Sequence, residues 1–176
     1  MDYVKLYLVQ WPVIESYVSV WNKMEAVYKS GKAKAIGVSN YQTHHLADLL
    51  EEAEIIPAVN QIECYPYLSQ AATIQYCLER NIRPEAWGPL GAGKSDILTN
   101  PVITEIAKKR GLTPAQVVLG WNLERGVIVI PKSIHKERLT ENLKCTDFEL
   151  TDEDMTRISA LNKNLRLGAD PDHFNF

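Results

Sequence analysis

Along this chain of 176 residues the hydrophobic pattern switches repeatedly between the period of a strand and the period of a helix. Residues 3–9 (YVKLYLV) are aromatic, β-branched and apolar, which predicts a strand of the buried kind. Residues 17–29 place Val20, Trp21, Met24, Val27 and Tyr28 on one helix face, and Gly31 follows where a left-handed cap is wanted. Strands at 33–38, 58–62, 83–87 and 127–130 then alternate with helices at 43–53, 69–80, 101–110 and 136–143. In the helix at 69–80, Ile74, Cys77 and Leu78 face inward. Thr113 opens one more helix with Pro114 and Gln116 in a capping box, and Gly126 ends it. Thr151 caps a last helix to 161, and an irregular tail covers 165–176. Neither a linker nor a low-complexity segment interrupts this series, so the expectation is one domain over 1–176.

Strand and helix in strict alternation require a parallel sheet with crossover helices. Two architectures satisfy that: an open doubly wound sheet, or part of a (β/α)8 barrel. A doubly wound dinucleotide binder carries G-x-G-x-x-G after its first strand, whereas this strand runs into Gln10-Trp11-Pro12. A complete barrel needs about 250 residues. The expected α/β fold is therefore a partial (β/α)8 TIM barrel of about five parallel strands, with a C-terminal helix and tail.

Composition removes several classes of function. With 19 Lys+Arg against 22 Asp+Glu the net charge is −3, and no basic face offers itself to nucleic acid. No apolar run approaches the roughly 18 residues of a membrane span. The three cysteines, Cys64, Cys77 and Cys145, are far apart with no C-x-x-C spacing. They read as reduced, buried thiols, which points to the cytoplasm.

In a βα barrel, ligands meet the carboxyl ends of the strands. Those ends carry Gln10-Trp11-Pro12, Ser39-Asn40-Tyr41, Gln61-Ile62-Glu63, Trp87 to Leu90, and Pro131-Lys132-Ser133. They hold neither paired carboxylates nor a Cys–His pair nor a His cluster, so hydrolysis and metal chemistry have little support and no metal is expected. His44 and His45 read as exposed neighbours on different helix faces, and His135 and His173 as surface groups without catalytic partners. Amides, an aromatic plane and cations suit a nicotinamide dinucleotide instead. Each residue also has a plainer reading: Ser39 and Asn40 as turn residues, Trp87 as core, Lys132 and Arg138 as solvated charges.

The stretches DYVKLYLVQWP (2–12), GKAKAIGVSNY (31–41), PAVNQIECYPY (57–67), EAWGPLG (85–91), TPAQVVLGW (113–121), VIPKSIHKERLTENL (129–143) and FELTDEDMTRISAL (148–161) together resemble the aldo-keto reductase family, in order and at family spacing. The resemblance implies a (β/α)8 barrel that reduces small-molecule carbonyls with NADP(H). It implies that Ser39, Asn40 and Gln61 hydrogen-bond the nicotinamide carboxamide and that Trp87 stacks on the nicotinamide ring. The backbone at Gly88 and Leu90 would follow the pyrophosphate. Lys132, Ser133 and Arg138 would clamp the 2′-phosphate, with Glu141 and Asn142 at the adenine end. Arg138, Glu141 and Asn142 stand at i, i+3 and i+4 on one helix face, and the start of that helix adds to the attraction for an anion.

The chain also departs from the family pattern. The family's catalytic Asp, Tyr and Lys fall before the strand at 3–9, so the resemblance implies strands four to eight only, with the N-terminal part missing. Gln10 occupies the position of a carbonyl-orienting His, Trp11 follows it as a substrate-binding residue, and Tyr65 stands where many members have His. A glutamine can donate to a carbonyl oxygen but cannot change charge near neutral pH. Without the positioned acid about 10²- to 10⁴-fold of rate is lost. The expectation is an oxidoreductase domain that keeps its cofactor residues and is weakly active or inactive alone. The alternative is a non-catalytic half-barrel that self-associates or binds a partner through open sheet edges.

Overall fold

The computed structural model describes residues 2–13 and 16–174. Its elements follow the predicted alternation: β1 (Val4–Val9), α1 (Tyr17–Lys29), β2 (Ala33–Ser39), α2 (Thr43–Glu52), β3 (Val59–Glu63), α3 (Ala71–Glu79) and β4 (Arg83–Trp87). Two short 3-10 turns come next, Gly91–Gly93 and Ile97–Thr99, then α4 (Pro101–Arg110), α5 (Pro114–Glu124), β5 (Ile128–Val129), α6 (Lys136–Leu143), a third turn (Lys144–Thr146) and α7 (Asp152–Ser159). The five parallel strands form one sheet in the order β1-β2-β3-β4-β5. Sequential order with helical crossovers is the wiring of a (β/α)8 barrel wall, whereas a doubly wound sheet reverses its strand order at a switch point. No helix among the described residues is long and apolar enough to cross a membrane. The last two residues of the predicted tail, Asn175 and Phe176, lie outside the described residues.

The chain divides into two compact units, the first comprising Met1–Ile62, Ala71–Glu85 and Ala169–Phe176. In this unit β1 runs parallel to β2 from Val4↔Ala33 to Val9↔Val38, and β2 pairs with β3 at Val38↔Asn60 and Ser39↔Gln61. Gly37 is required at that junction: a Cβ there would lie 2.6 Å from the Val59 carbonyl oxygen and 2.8 Å from the Leu8 side chain. Trp21 and Met24 of α1, Ile36 and Val38 of β2, and Leu46 and Leu49 of α2 make one core. Burying each such aliphatic side chain contributes roughly 1.5–3 kcal/mol. Glu25, buried beside Met24, accepts the N–H groups of Glu54 and Ile55, both at 2.9 Å, and so pins the loop ahead of β3.

Three predicted inward positions are corrected here. The β1 strand was expected to be buried, yet Lys5, Leu6 and Tyr7 are exposed, because β1 stands last in the sheet order with a neighbour on one side only. Tyr28 and Leu78, assigned to inward helix faces, are also exposed. Each sits one residue past a neighbour that packs on the core, Val27 in α1 and Cys77 in α3, and so is turned about 100° away from it.

The second unit comprises Glu63–Gln70 and Ala86–Gly168. Its centre is α5, where every residue from Gln116 to Asn122 is buried. Thr113 accepts the Gln116 N–H and Gln116 returns a bond to the Thr113 N–H, which is the predicted capping box. Gly120 lets the Phe148 ring approach, since a Cβ would stand 2.9 Å from it. At the start of α7, Asp154 closes a second box with Thr151 and pairs with Arg110. Burial alone would raise the Asp154 carboxyl, but the hydrogen bonds from Thr151 and Arg110 outweigh it and hold the group below its ordinary range.

Candidate active site

In the first unit, the ends of β2 and β3 gather the predicted amides. The chain leaves β2 at Ser39 and turns through Asn40, whose φ of 65° lies in the left-handed region that Asn tolerates better than most residues. The Ser39 hydroxyl and the Asn40 N–H both donate to the Gln61 carbonyl, each at 2.8 Å. Asn40 Nδ2 donates to the Gln10 carbonyl at 3.0 Å and to Ser39 Oγ at 3.2 Å. Gln61 Nε2 donates to Glu85 Oε1 at 2.6 Å, which orients the amide so that its oxygen is the remaining acceptor. Ser39, Asn40 and Gln61 therefore come together, and Gln10 joins them through its backbone while its side chain is exposed. Trp11 stacks face to face on Phe174, with ring centroids 4.0 Å apart at 10°.

The α2 entry beside this cluster differs from expectation. His45 is buried, and its Nδ1 accepts the Gln42 N–H at 3.2 Å to complete a capping box. The two imidazoles are not on opposite faces: their centroids lie 4.0 Å apart, and Nε2 of His44 and of His45 stand 3.1 and 3.5 Å from Asp172 Oδ1. In neutral His45 an accepting Nδ1 leaves the proton on Nε2, directed at the Asp172 carboxylate. Burial and then the nearby His44 push the His45 pKa down, with Asp172 and Asp48 opposing. Tyr17 donates to Asp48 at 2.7 Å, and burial with that bond raises its phenol to about 12.

In the second unit, β4 ends at Trp87, and Gly88 (φ 60°) turns the backbone toward Leu90. Trp87, Gly88, Leu90 and Lys132 line one open cavity of about 380 Å³. Leu90 and Lys132 also line a second cavity of about 500 Å³, together with Ser133, Arg138, Glu141 and Asn142. The i, i+3, i+4 spacing on α6 thus brings its three predicted residues to one cavity. The α5 capping box helps to hold α6 there: the Thr113 hydroxyl donates to Glu141 Oε1 at 2.7 Å, and Gln116 Nε2 donates to the Glu141 carbonyl at 3.1 Å. Ser133 Oγ accepts the His135 N–H at 3.1 Å, where α6 begins.

Sequence reasoning passed over Glu63, Glu85, Asp172 and Gly168. The Glu63 carboxylate is buried and accepts the N–H groups of Leu167 at 2.8 Å and Gly168 at 3.1 Å. Gly168 lies against Trp87, so that a Cβ on it would sit 2.6 Å from Cη2 of the indole. The available signal was the acidic residue two places after Gln61 in a strand that is otherwise buried. Cys64, Cys77 and Cys145 are unpaired and buried, as expected, and burial pushes the Cys64 thiol up to about 11.

The model of the aldo/keto reductase family matches residues 1–163. A glyoxal reductase of Bacillus subtilis (strain 168) is 49% identical over 176 residues, all of this chain and 63% of its own length. A methylglyoxal reductase of Escherichia coli (strain K12) is 41% identical over 176 residues, 99% of this chain and 64% of its own. Among solved structures, a mutant of Gox0644 in complex with NADPH superimposes with a TM-score of 0.92 at 42% identity, covering 99% of this chain and 65% of that one. The chain thus spans less than two thirds of the length of these proteins. The chain belongs to the aldo-keto reductase family.

Proposed function

We propose that this chain binds NADP(H) and contributes the cofactor side of a carbonyl oxidoreductase acting on a small aldehyde or ketone. The observation that carries the reading is the cavity shared by Lys132, Ser133, Arg138, Glu141 and Asn142. At about 500 Å³ it falls within the usual range of small-molecule sites. Two cations and a hydroxyl suit a 2′-phosphate, while the Glu141 carboxylate and the Asn142 amide suit the polar edge of adenine. In the second unit Trp87 suits a nicotinamide ring and the Gly88–Leu90 backbone a pyrophosphate; in the first, the Ser39 hydroxyl and the Asn40 and Gln61 amides suit a carboxamide. When bound, NADPH supplies the hydride for carbonyl reduction. The NADPH complex of a 42% identical family member and the glyoxal and methylglyoxal reductases among the relatives support this assignment.

Proton delivery is another matter. These residues carry no counterpart of the family's catalytic Asp, Tyr and Lys, and Gln10, beside substrate-binding Trp11, has no titrating proton to offer. We place the 176 residues as a domain of strands four to eight that binds cofactor and turns over weakly or not at all alone. Its unpaired thiols fit the cytoplasm. Titrating the folded chain with NADPH while following tryptophan fluorescence tests the reading. Saturable quenching is expected, with negligible NADPH oxidation on adding glyoxal. Absence of quenching by a folded chain refutes it.

A second reading rests on where apolar surface is exposed. On β1 and just before it are Tyr3, Leu6 and Tyr7, and in β5 or beside it are Ile128 and Ile130, the first and last strands of the sheet order. Such edges pair readily with another chain, so a second copy of this chain is the occupant this reading names. Sedimentation should then show a dimer that Leu6→Lys returns to monomer. A wild-type monomer at all concentrations removes this reading.

A further inference from the structure

We propose that Glu63 is a positioning residue for the Trp87 ring, an assignment that rests on reading Trp87 as the nicotinamide platform. Glu63 is the last residue of β3 and is 1% exposed. A carboxylate so deeply buried must find donors, and it finds two successive backbone N–H groups, Leu167 at 2.8 Å and Gly168 at 3.1 Å. One oxygen takes each bond, so the 167–168 peptide is fixed in both position and tilt. The segment just before it is tied down separately: Tyr67 accepts the N–H groups of Lys163 and Leu165, each at 3.0 Å, and the Tyr65 hydroxyl donates to the Leu165 carbonyl at 2.9 Å. Glu63 therefore governs the last two residues alone.

What those residues do is set by Gly168. A Cβ there would lie 2.6 Å from Trp87 Cη2, 3.3 Å from Cζ2 and 3.3 Å from Glu63 Oε2, so the glycine backbone abuts the benzo edge of the indole. At the same carboxyl end of β3 and β4 the Cys64 N–H donates to the Trp87 carbonyl at 3.4 Å. Trp87 is thus held at its backbone by the β3 end and at its ring edge by a peptide that Glu63 grips. An indole has a broad second side-chain torsion and no intrinsic preference for one plane. The grip supplies that preference, and a stacking partner needs it, because only one plane meets a ring that is anchored elsewhere.

The test uses the full chain with fluorotryptophan at its four tryptophans and the Trp87 fluorine resonance assigned by Trp87→Phe. Glu63→Ala removes both acceptors, Glu63→Gln keeps one, and Gly168→Ala leaves Glu63 intact while crowding the ring. All three should move the Trp87 resonance and leave those of Trp11, Trp21 and Trp121 in place, with Glu63→Gln moving it less than Glu63→Ala. NADPH affinity should fall by up to about tenfold in Glu63→Ala, the worth of the ring stacking that a misaligned Trp87 forgoes. Affinity for an adenosine bisphosphate that bears the 2′-phosphate but no nicotinamide should stay unchanged. A Trp87 resonance that stays put in Glu63→Gln and Glu63→Ala, or a shift common to all four tryptophans, overturns the proposal. So does an equal loss for both ligands. Wild-type chain that binds no NADPH would refute the cofactor reading, and the fluorine resonances would still judge Glu63.

Discussion

Arg138 brings to its cavity a cationic, planar fork that can meet two oxygens of one phosphate. Lys132, lining the same cavity, adds a point charge. A charge-assisted hydrogen bond to phosphate is worth about 1.5–3 kcal/mol, so Arg138→Ala should weaken NADPH about tenfold to a hundredfold in a calorimetric titration. Binding of NADH, which lacks the 2′-phosphate, should change little. Equal losses for both nucleotides would mean that Arg138 serves the fold and not the phosphate. That Lys132, Ser133, Arg138, Glu141 and Asn142 would share one cavity was legible through the family resemblance and the helical spacing of the last three. Glu25, Glu63 and Glu85 were not, since their acceptors serve groups 24 to 105 residues away and two of the three take backbone N–H groups. A backbone donor leaves no trace in residue type.

Elements declared themselves through period and caps. The Thr113–Gln116 and Thr151–Asp154 boxes stand where the chain signals them, and α4 and α6 keep their predicted bounds. The α2 box was hidden because its acceptor is an imidazole, outside the usual Glu or Gln at that position. That choice has a consequence for pH. The His45 pKa is lower in the fold than in the unfolded chain, so its contribution is present above about 6.5 and is lost as pH falls through the folded value. Protonation also takes away the lone pair that receives the Gln42 N–H. Losing a cap costs about 1 kcal/mol, which corresponds to about 2–4 °C in Tm for a chain of this size. Thermal melts should therefore show wild type losing that margin relative to His45→Gln as pH falls below about 6.5, since glutamine accepts the bond without titrating. Parallel curves would contradict the account. Strand burial was the weaker inference: an apolar run such as VKLYLV reads the same at an edge as in the centre, and only the sheet order separates the two.

For the whole molecule, the sequential parallel sheet and the family match make this chain part of a (β/α)8 reductase barrel. Fold class was legible from periodicity, and the wiring decided between two candidate architectures. The clustering of Ser39, Asn40 and Gln61 at the strand ends was legible, and the tail contacts of Glu63 and Asp172 were not, because the tail has no period to read. The proposed function places recognition of NADP(H), the 2′-phosphate included, in the cavity of Lys132, Ser133 and Arg138. Calorimetric titration of the folded wild-type chain with NADPH and with NADH tests it most directly. Saturable binding of NADPH is expected, at least about tenfold tighter than that of NADH, the margin of a single charge-assisted phosphate contact. Equal affinities, or no heat from either nucleotide, would contradict it.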